Sequence, residues 1–151
     1  MNLKDHIRSI PDYPKKGILF RDITTLIKNN DAFTQTIDEM VIRSKKFKID
    51  KIAAMESRGF VFASAISYIL KKPFILLRKK NKLPADTYSV DFELEYGTAT
   101  MEVHKDSIDA NDNVLLIDDL IATGGTAEAA AKLIKLSSGN VSGFIFVINL
   151  F

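Results

Sequence analysis

A chain of 151 residues, 46% of them hydrophobic, can bury one sizeable core and fits a single globular domain. Its 21 Lys and Arg against 19 Asp and Glu leave a formal charge of +2, too balanced for nucleic acid or a membrane to be the expected partner. The lack of cysteine removes disulfides, thiolate nucleophiles and Cys-ligated metals; no apolar run nears the ~20 residues that span a bilayer, and the N-terminus lacks the apolar segment of a signal peptide, so a cytoplasmic protein is expected.

Residues 2–9 are expected to form a short helix, closed by Pro11 and Pro14, which favour extended or turn geometry before them. Residues 15–25 follow, hinged at Gly17 and carrying the apolar cluster Ile18, Leu19 and Phe20. Phe33, Ile37, Met40 and Val41 recur at helical spacing and predict a helix from 31 to 46. Residues 51–55 read as a buried strand, 60–70 as a helix apolar nearly all round, and 74–77 as a second buried strand. Alternation over 89–95 and 98–104, either side of Tyr96 and Gly97, predicts an antiparallel hairpin. The third core strand is 114–117, its helix 126–136, and the fourth strand 143–148. Strands alternating with helices predict an α/β fold: a parallel sheet flanked by helices, with the N-terminal segment and hairpin as additions. No repeat or low-complexity linker divides the chain, so 1–151 is expected to be one domain.

The most informative stretch is VLLIDDLIATGGT at 114–126. A buried strand delivers Asp118 and Asp119 just beyond its buried part, at the carboxyl edge where open α/β sheets place their ligands. Gly124 and Gly125 permit positive φ and close approach; their N–H groups and those of the following helical turn, with the Thr123 and Thr126 hydroxyls, make an anion cradle. Acids cannot serve the phosphate itself, but two carboxylates beside a phosphate nest suit the cis hydroxyls of a ribose 5-phosphate. The stretch contains neither GxxxxGK(S/T) nor GxGxxG. The plainer alternative is an ordinary strand-to-helix turn with Thr126 at the helix start.

Three further segments carry usable chemistry. MESRGF at 55–60 ends the first core strand on the same sheet edge; Ser57 and Arg58 can bind a diphosphate and Gly59 lets the backbone approach. LRKKNKLP at 77–84, with Arg78, Lys79 and Lys82, is a basic loop after the second strand, by itself a solvated charge run or a hint of nucleic acid. Glu95 and Tyr96 stand at the hairpin tip. The two histidines, His6 and His104, lie outside every motif and suggest neither a metal site nor a triad.

The 114–126 stretch closely resembles the phosphoribosyl-pyrophosphate (PRPP) loop of type I phosphoribosyltransferases. ESRGF, RKKNKLP, LEYG at 94–97 and PKKGILFRDIT at 14–24 resemble, in order, the other motifs of adenine phosphoribosyltransferases, from Ile7 to Leu150. The resemblance implies a hood over 1–25, with adenine held near Leu19 and Arg21 and Phe20 structural; a flexible loop and hairpin lid over 79–104; and a PRPP loop over 114–126. It implies Asp118 and Asp119 on the ribose hydroxyls, and Ala122, Thr123, Gly124, Gly125 and Thr126 on the 5-phosphate. Arg58 and the basic loop, Arg78 foremost, would serve the diphosphate, with a basic side chain reaching the neighbouring subunit of a homodimer. Glu95 would assist a purine nitrogen and Tyr96 cover the site. Mg²⁺ is the implied cofactor, held mainly by PRPP rather than by direct protein ligands.

Family members normally continue with a C-terminal segment, whereas this sequence stops at Phe151; Ala63 and Asn149 stand where the family more often has Gly and Glu. The alternatives are a 6-oxopurine phosphoribosyltransferase, which shares the PRPP loop but not the FRDI and LEYG combination, a non-catalytic PRPP sensor, and an inactive shortened form.

Overall fold

Local hydrogen bonding explains the N-terminal part of the chain, where the computed structural model, which describes residues 1–94, 97–121 and 124–150, differs most from expectation. Within the first of two units, Met1–Ile42, only Leu3–His6 of the expected 2–9 helix turn helically, capped by the Asn2 side chain. Strand β1 (Arg8–Pro11) then pairs antiparallel with β2 (Leu19–Asp22), Ser9 opposite Arg21 and Ile10 opposite Phe20. The expected helix over 2–9 is therefore corrected to a helical turn and a strand. A non-local partner decides this. Asp22 accepts from Arg8 Nε at 3.0 Å and from the Thr24 amide and hydroxyl at 2.9 and 2.7 Å. The Thr24 bonds, helped by Arg8, hold its carboxyl down at about 2. Asp22 thus fastens the ribbon and introduces α1 (Thr24–Lys28). Helix α2 (Asn30–Ser44) follows, close to its predicted span.

The second unit, Arg43–Phe151, contains β3 (Lys51–Met55), α3 (Arg58–Leu70), β4 (Phe74–Lys79), β5 (Thr87–Leu94), β6 (Gly97–His104), β7 (Asn113–Ile121), α4 (Gly125–Leu136) and β8 (Asn140–Asn149). The sheet order is β5-β6-β4-β3-β7-β8. Strands β4, β3, β7 and β8 run parallel; β6 joins β4 antiparallel, with Arg78 opposite Glu102, and β5 completes the hairpin. The hairpin is thus a continuation of the main sheet.

Alternation along the strands divides the core. Ala53, Met55, Leu77 and Leu116 pack with Ala129, Ala130, Leu133 and Ile134 of α4. On the other face α3 buries Phe62, Ala63 and Ile66, and a Cβ on its Gly59 would lie 3.5 Å from Ala54 Cβ. Only one stripe of α3 can face the sheet, so its remaining apolar residues Val61, Tyr68 and Ile69 are exposed. Strand β7 runs four residues past its predicted end at 117 because β8 continues beside it, with Asp118 opposite Phe146 and Leu120 opposite Ile148. Among the described residues no helix is long and apolar enough to cross a membrane.

Candidate active site

The carboxyl ends of β3, β4 and β7 open into a cavity of about 570 Å³ within the second unit. Ser57, Arg58, Arg78, Lys79, Asp118, Asp119, Gly124 and Thr126 all line it, with Phe92, Met101 and Phe146 as apolar wall. Three separate sequence motifs therefore meet at one place.

Asp118 and Asp119 are inside β7 rather than beyond it. Asp119 is only 6% exposed, which corrects the expectation that both acids lie past the buried part of the strand. Its Oδ2 is 2.6 Å from Arg58 Nε, so a charged partner offsets its burial. Asp118 Oδ1 accepts from the Asp119 amide at 2.8 Å. Burial first, and then the hydrogen bond to and charge of the Asp119 carboxylate, raise the Asp118 pKa well above the usual carboxylate range. Of these two adjacent acids, one is paired with Arg58 and the other holds its proton readily.

Gly59 sets the distance between α3 and this acid pair. A Cβ there would stand 3.0 Å from Asp118 Oδ1 and 3.3 Å from the Ile117 carbonyl. The carbonyl belongs to the buried strand and cannot yield, so the Asp118 side chain must. Gly59→Ala is expected to push the Asp118 side chain aside and to lower stability by about 1–3 kcal/mol, as overpacking does; thermal unfolding checks the effect.

Glu56 had no assigned role in the sequence, yet it organises the basic segment. Its Oε1 accepts from the Lys79 amide at 2.7 Å and from Arg78 Nε at 3.2 Å. Because β3 and β4 are parallel neighbours, Met55 opposite Leu77, the residue after one strand meets the end of the other. The peptide joining Glu56 to Ser57 is cis. Arg78 and Lys79 belong to β4 itself, whereas Lys82 lies in the exposed turn beyond it and is not among the cavity-lining residues.

Gly124 caps α4 with φ of 87°, a conformation that favours glycine, and the helix begins at Gly125. The N-terminal end of this 12-residue helix provides N–H donors and the positive end of a helix dipole. Leu19 and Arg21 lie on β2 of the first unit, Leu19 49% exposed and Arg21 Nη1 donating to Ser9 Oγ at 2.6 Å. Glu95, Tyr96, Ala122 and Thr123 lie outside the described residues. Among the described residues no group of three or more His, Asp or Glu could hold a metal ion.

The geometry can therefore hold an anion at a helix N-terminus, paired hydroxyls at adjacent acids and a second anion at a basic strand end. Comparison with known proteins agrees. The sequence profile of the phosphoribosyl transferase domain matches residues 23–145. The adenine phosphoribosyltransferase of Pelagibacter ubique is 76% identical over 151 residues, covering 100% of this chain and 86% of that protein. The crystal structure of adenine phosphoribosyltransferase from Saccharomyces cerevisiae, complexed with D-2,5-dideoxy-2,5-imino-altritol 1,6-bisphosphate and adenine, superposes with a TM-score of 0.94. It is 36% identical, over 98% of this chain and 86% of that one. The enzyme from Trypanosoma brucei, in complex with AMP, pyrophosphate and ribose-5-phosphate, gives a TM-score of 0.90 at 27% identity, over 97% of this chain and 65% of that one. This chain belongs to the phosphoribosyl transferase domain family and, within it, to the adenine phosphoribosyltransferases.

Proposed function

We propose that the protein transfers the 5-phosphoribosyl group of PRPP to adenine, giving AMP and pyrophosphate in purine salvage. The observation that carries this reading is the meeting of the adjacent acids of β7, the N-terminus of α4 and the basic end of β4 around one cavity. Those three features match the ribose hydroxyls, the 5-phosphate and the diphosphate of a single substrate. The ligands of the yeast and trypanosome structures support the same assignment.

In this reading Asp118 and Asp119 hold the ribose hydroxyls, and the backbone and hydroxyls of 122–126 hold the 5-phosphate. The bond from the anomeric carbon to the diphosphate oxygen breaks as the bond to adenine N9 forms, and N9 gives up its proton. Ser57, Arg58, Arg78, Lys79 and Lys82 serve the departing diphosphate, where fixed cationic donors lower the barrier by stabilising developing charge. Glu95 hydrogen-bonds a purine nitrogen as the ring's charge changes. Adenine is held by Leu19 and Arg21 in a hood formed by 1–25, and the loop and hairpin of 79–104, with Tyr96 covering the site, exclude water from an oxocarbenium-like centre. Mg²⁺ would neutralise diphosphate charge and would be held mainly by PRPP, with carboxylate oxygens at Asp118 and Asp119 suited to a hard cation through water or ribose. The proposal includes a cytoplasmic homodimer whose basic loop reaches the neighbouring diphosphate.

With PRPP, Mg²⁺ and adenine, one AMP and one pyrophosphate should appear for each PRPP consumed. Release of pyrophosphate at the same rate without adenine would replace this reading with PRPP hydrolysis.

A further inference from the structure

Glu102 is a buried carboxylate, 9% exposed, on β6. No motif in the sequence singles it out. Its Oε1 accepts from the Asn81 amide at 2.8 Å, and its Oε2 accepts from the Thr87 and Ser89 hydroxyls at 3.1 and 2.7 Å. One oxygen therefore grips the turn after β4 and the other grips β5.

The turn is tight. Asn81 has φ of 66°, and the Lys82 amide donates to the Lys79 carbonyl at 3.3 Å. Across the sheet Ser89, Glu102 and Arg78 stand in register on three adjacent strands. The Ser89 hydroxyl, then the Asn81 amide, keep the Glu102 pKa below its ordinary value against the opposing effect of burial. All three hydrogen-bond donors are neutral, and together they outweigh the cost of burying the charge. The contacts also set geometry: Asn81 lies between Lys79 and Lys82, and its amide is tied to the root of the hairpin.

We infer that Glu102 is a positioning residue, which fixes the turn between Lys79 and Lys82 against β5 so that the cations flanking it stand ready for the diphosphate. This rests on the reading of the basic segment as the diphosphate site. Glu102 is not among the cavity-lining residues, so its effect should run through the flanking lysines and be confined to PRPP.

Glu102→Leu removes both acceptors; Glu102→Asp keeps the charge but is one carbon too short to reach both the turn and the strand. Glu102→Gln can offer its oxygen to the Asn81 amide and its amide to hydroxyls that rotate to accept. Leu and Asp variants should raise the PRPP KM about tenfold, the effect of a lost charged hydrogen bond, with the adenine KM held within about twofold. Gln should restore the PRPP KM to near the parent value. Adding Glu102→Leu to Lys79→Ala/Lys82→Ala should then change the PRPP KM no further. An unchanged PRPP KM in the Asp variant, a parallel rise in both KM values, or full additivity with the lysine substitutions would each overturn the inference. If the lysine substitutions alone left the PRPP KM at the parent value, the diphosphate reading of the loop would fall, and the inference with it.

Discussion

Asp118→Asn is expected to bind PRPP at least tenfold more weakly than the parent and yet to unfold at a higher temperature at pH 8. The first effect follows because the ionised Asp118 carboxylate is the form that grips a ribose hydroxyl, and an amide cannot ionise; losing that charged hydrogen bond costs about 1.5–3 kcal/mol or about ten- to a hundredfold. The second follows from the sign of the proton linkage. Burial and the Asp119 carboxylate raise the Asp118 pKa in the folded state. The folded protein then binds more protons there than the unfolded chain does, so this stabilisation is complete below the unfolded pKa and is lost as pH rises through the folded one. Asparagine resembles the protonated acid: its oxygen can still accept from the Asp119 amide, and its NH₂ can donate to the Asp119 carboxylate. The gain in midpoint, about 2–4 °C for each kcal/mol relieved in a chain of this size, should shrink towards zero near pH 4. Asp119→Asn should also lose PRPP affinity, but without that gain, because it removes the carboxylate paired with Arg58. Unfolding curves across pH and PRPP titrations distinguish the pair; equal pH dependence in parent and Asp118→Asn would contradict the account of the acids.

The parts of the fold legible in the sequence were those set by local pattern. The apolar runs at 51–55 and 114–117 became β3 and the buried half of β7, and the helical spacing after Asp31 became α2. Asp118 to Ile121 were not legible as strand because two acids interrupt an apolar run, and only the neighbouring β8 extends it. Arg8 and Ser9 read as helix for a related reason: their partner strand begins at Leu19, and local propensity carries no record of it.

The candidate site divides in the same way. Asp118, Asp119, Arg58, Arg78 and Gly124 could be named because each lies in a contiguous motif, and the parallel order of β4, β3 and β7 brings those motifs together. Glu56 and Glu102 act on residues about twenty positions away, at Lys79 and Asn81. Their spacing in sequence has no meaning until strand order is known. Alternation could have suggested only that Glu102 faces away from Met101 and Val103.

Base choice carries the largest expected effect. Adenine presents a 6-amino donor beside an unprotonated N1 acceptor, and 6-oxopurines reverse both. In the proposed site the backbone of 18–21, next to Leu19 and Arg21, reads that edge. A buried site matched to one pattern leaves donors facing donors and acceptors facing acceptors with the other, which can separate the two by about 10⁴ in kcat/KM. Because backbone groups do the reading, most side-chain changes there should leave the preference intact. Leu19→Asp, which crowds and charges the slot, should raise the adenine KM while leaving PRPP binding alone.

The most direct test of the central claim is kcat/KM for adenine, hypoxanthine and guanine at saturating PRPP and Mg²⁺, read as AMP, IMP and GMP formed. The account predicts efficient AMP formation, with hypoxanthine and guanine used about 10⁴-fold less well. IMP or GMP formation at an efficiency within tenfold of AMP would contradict it.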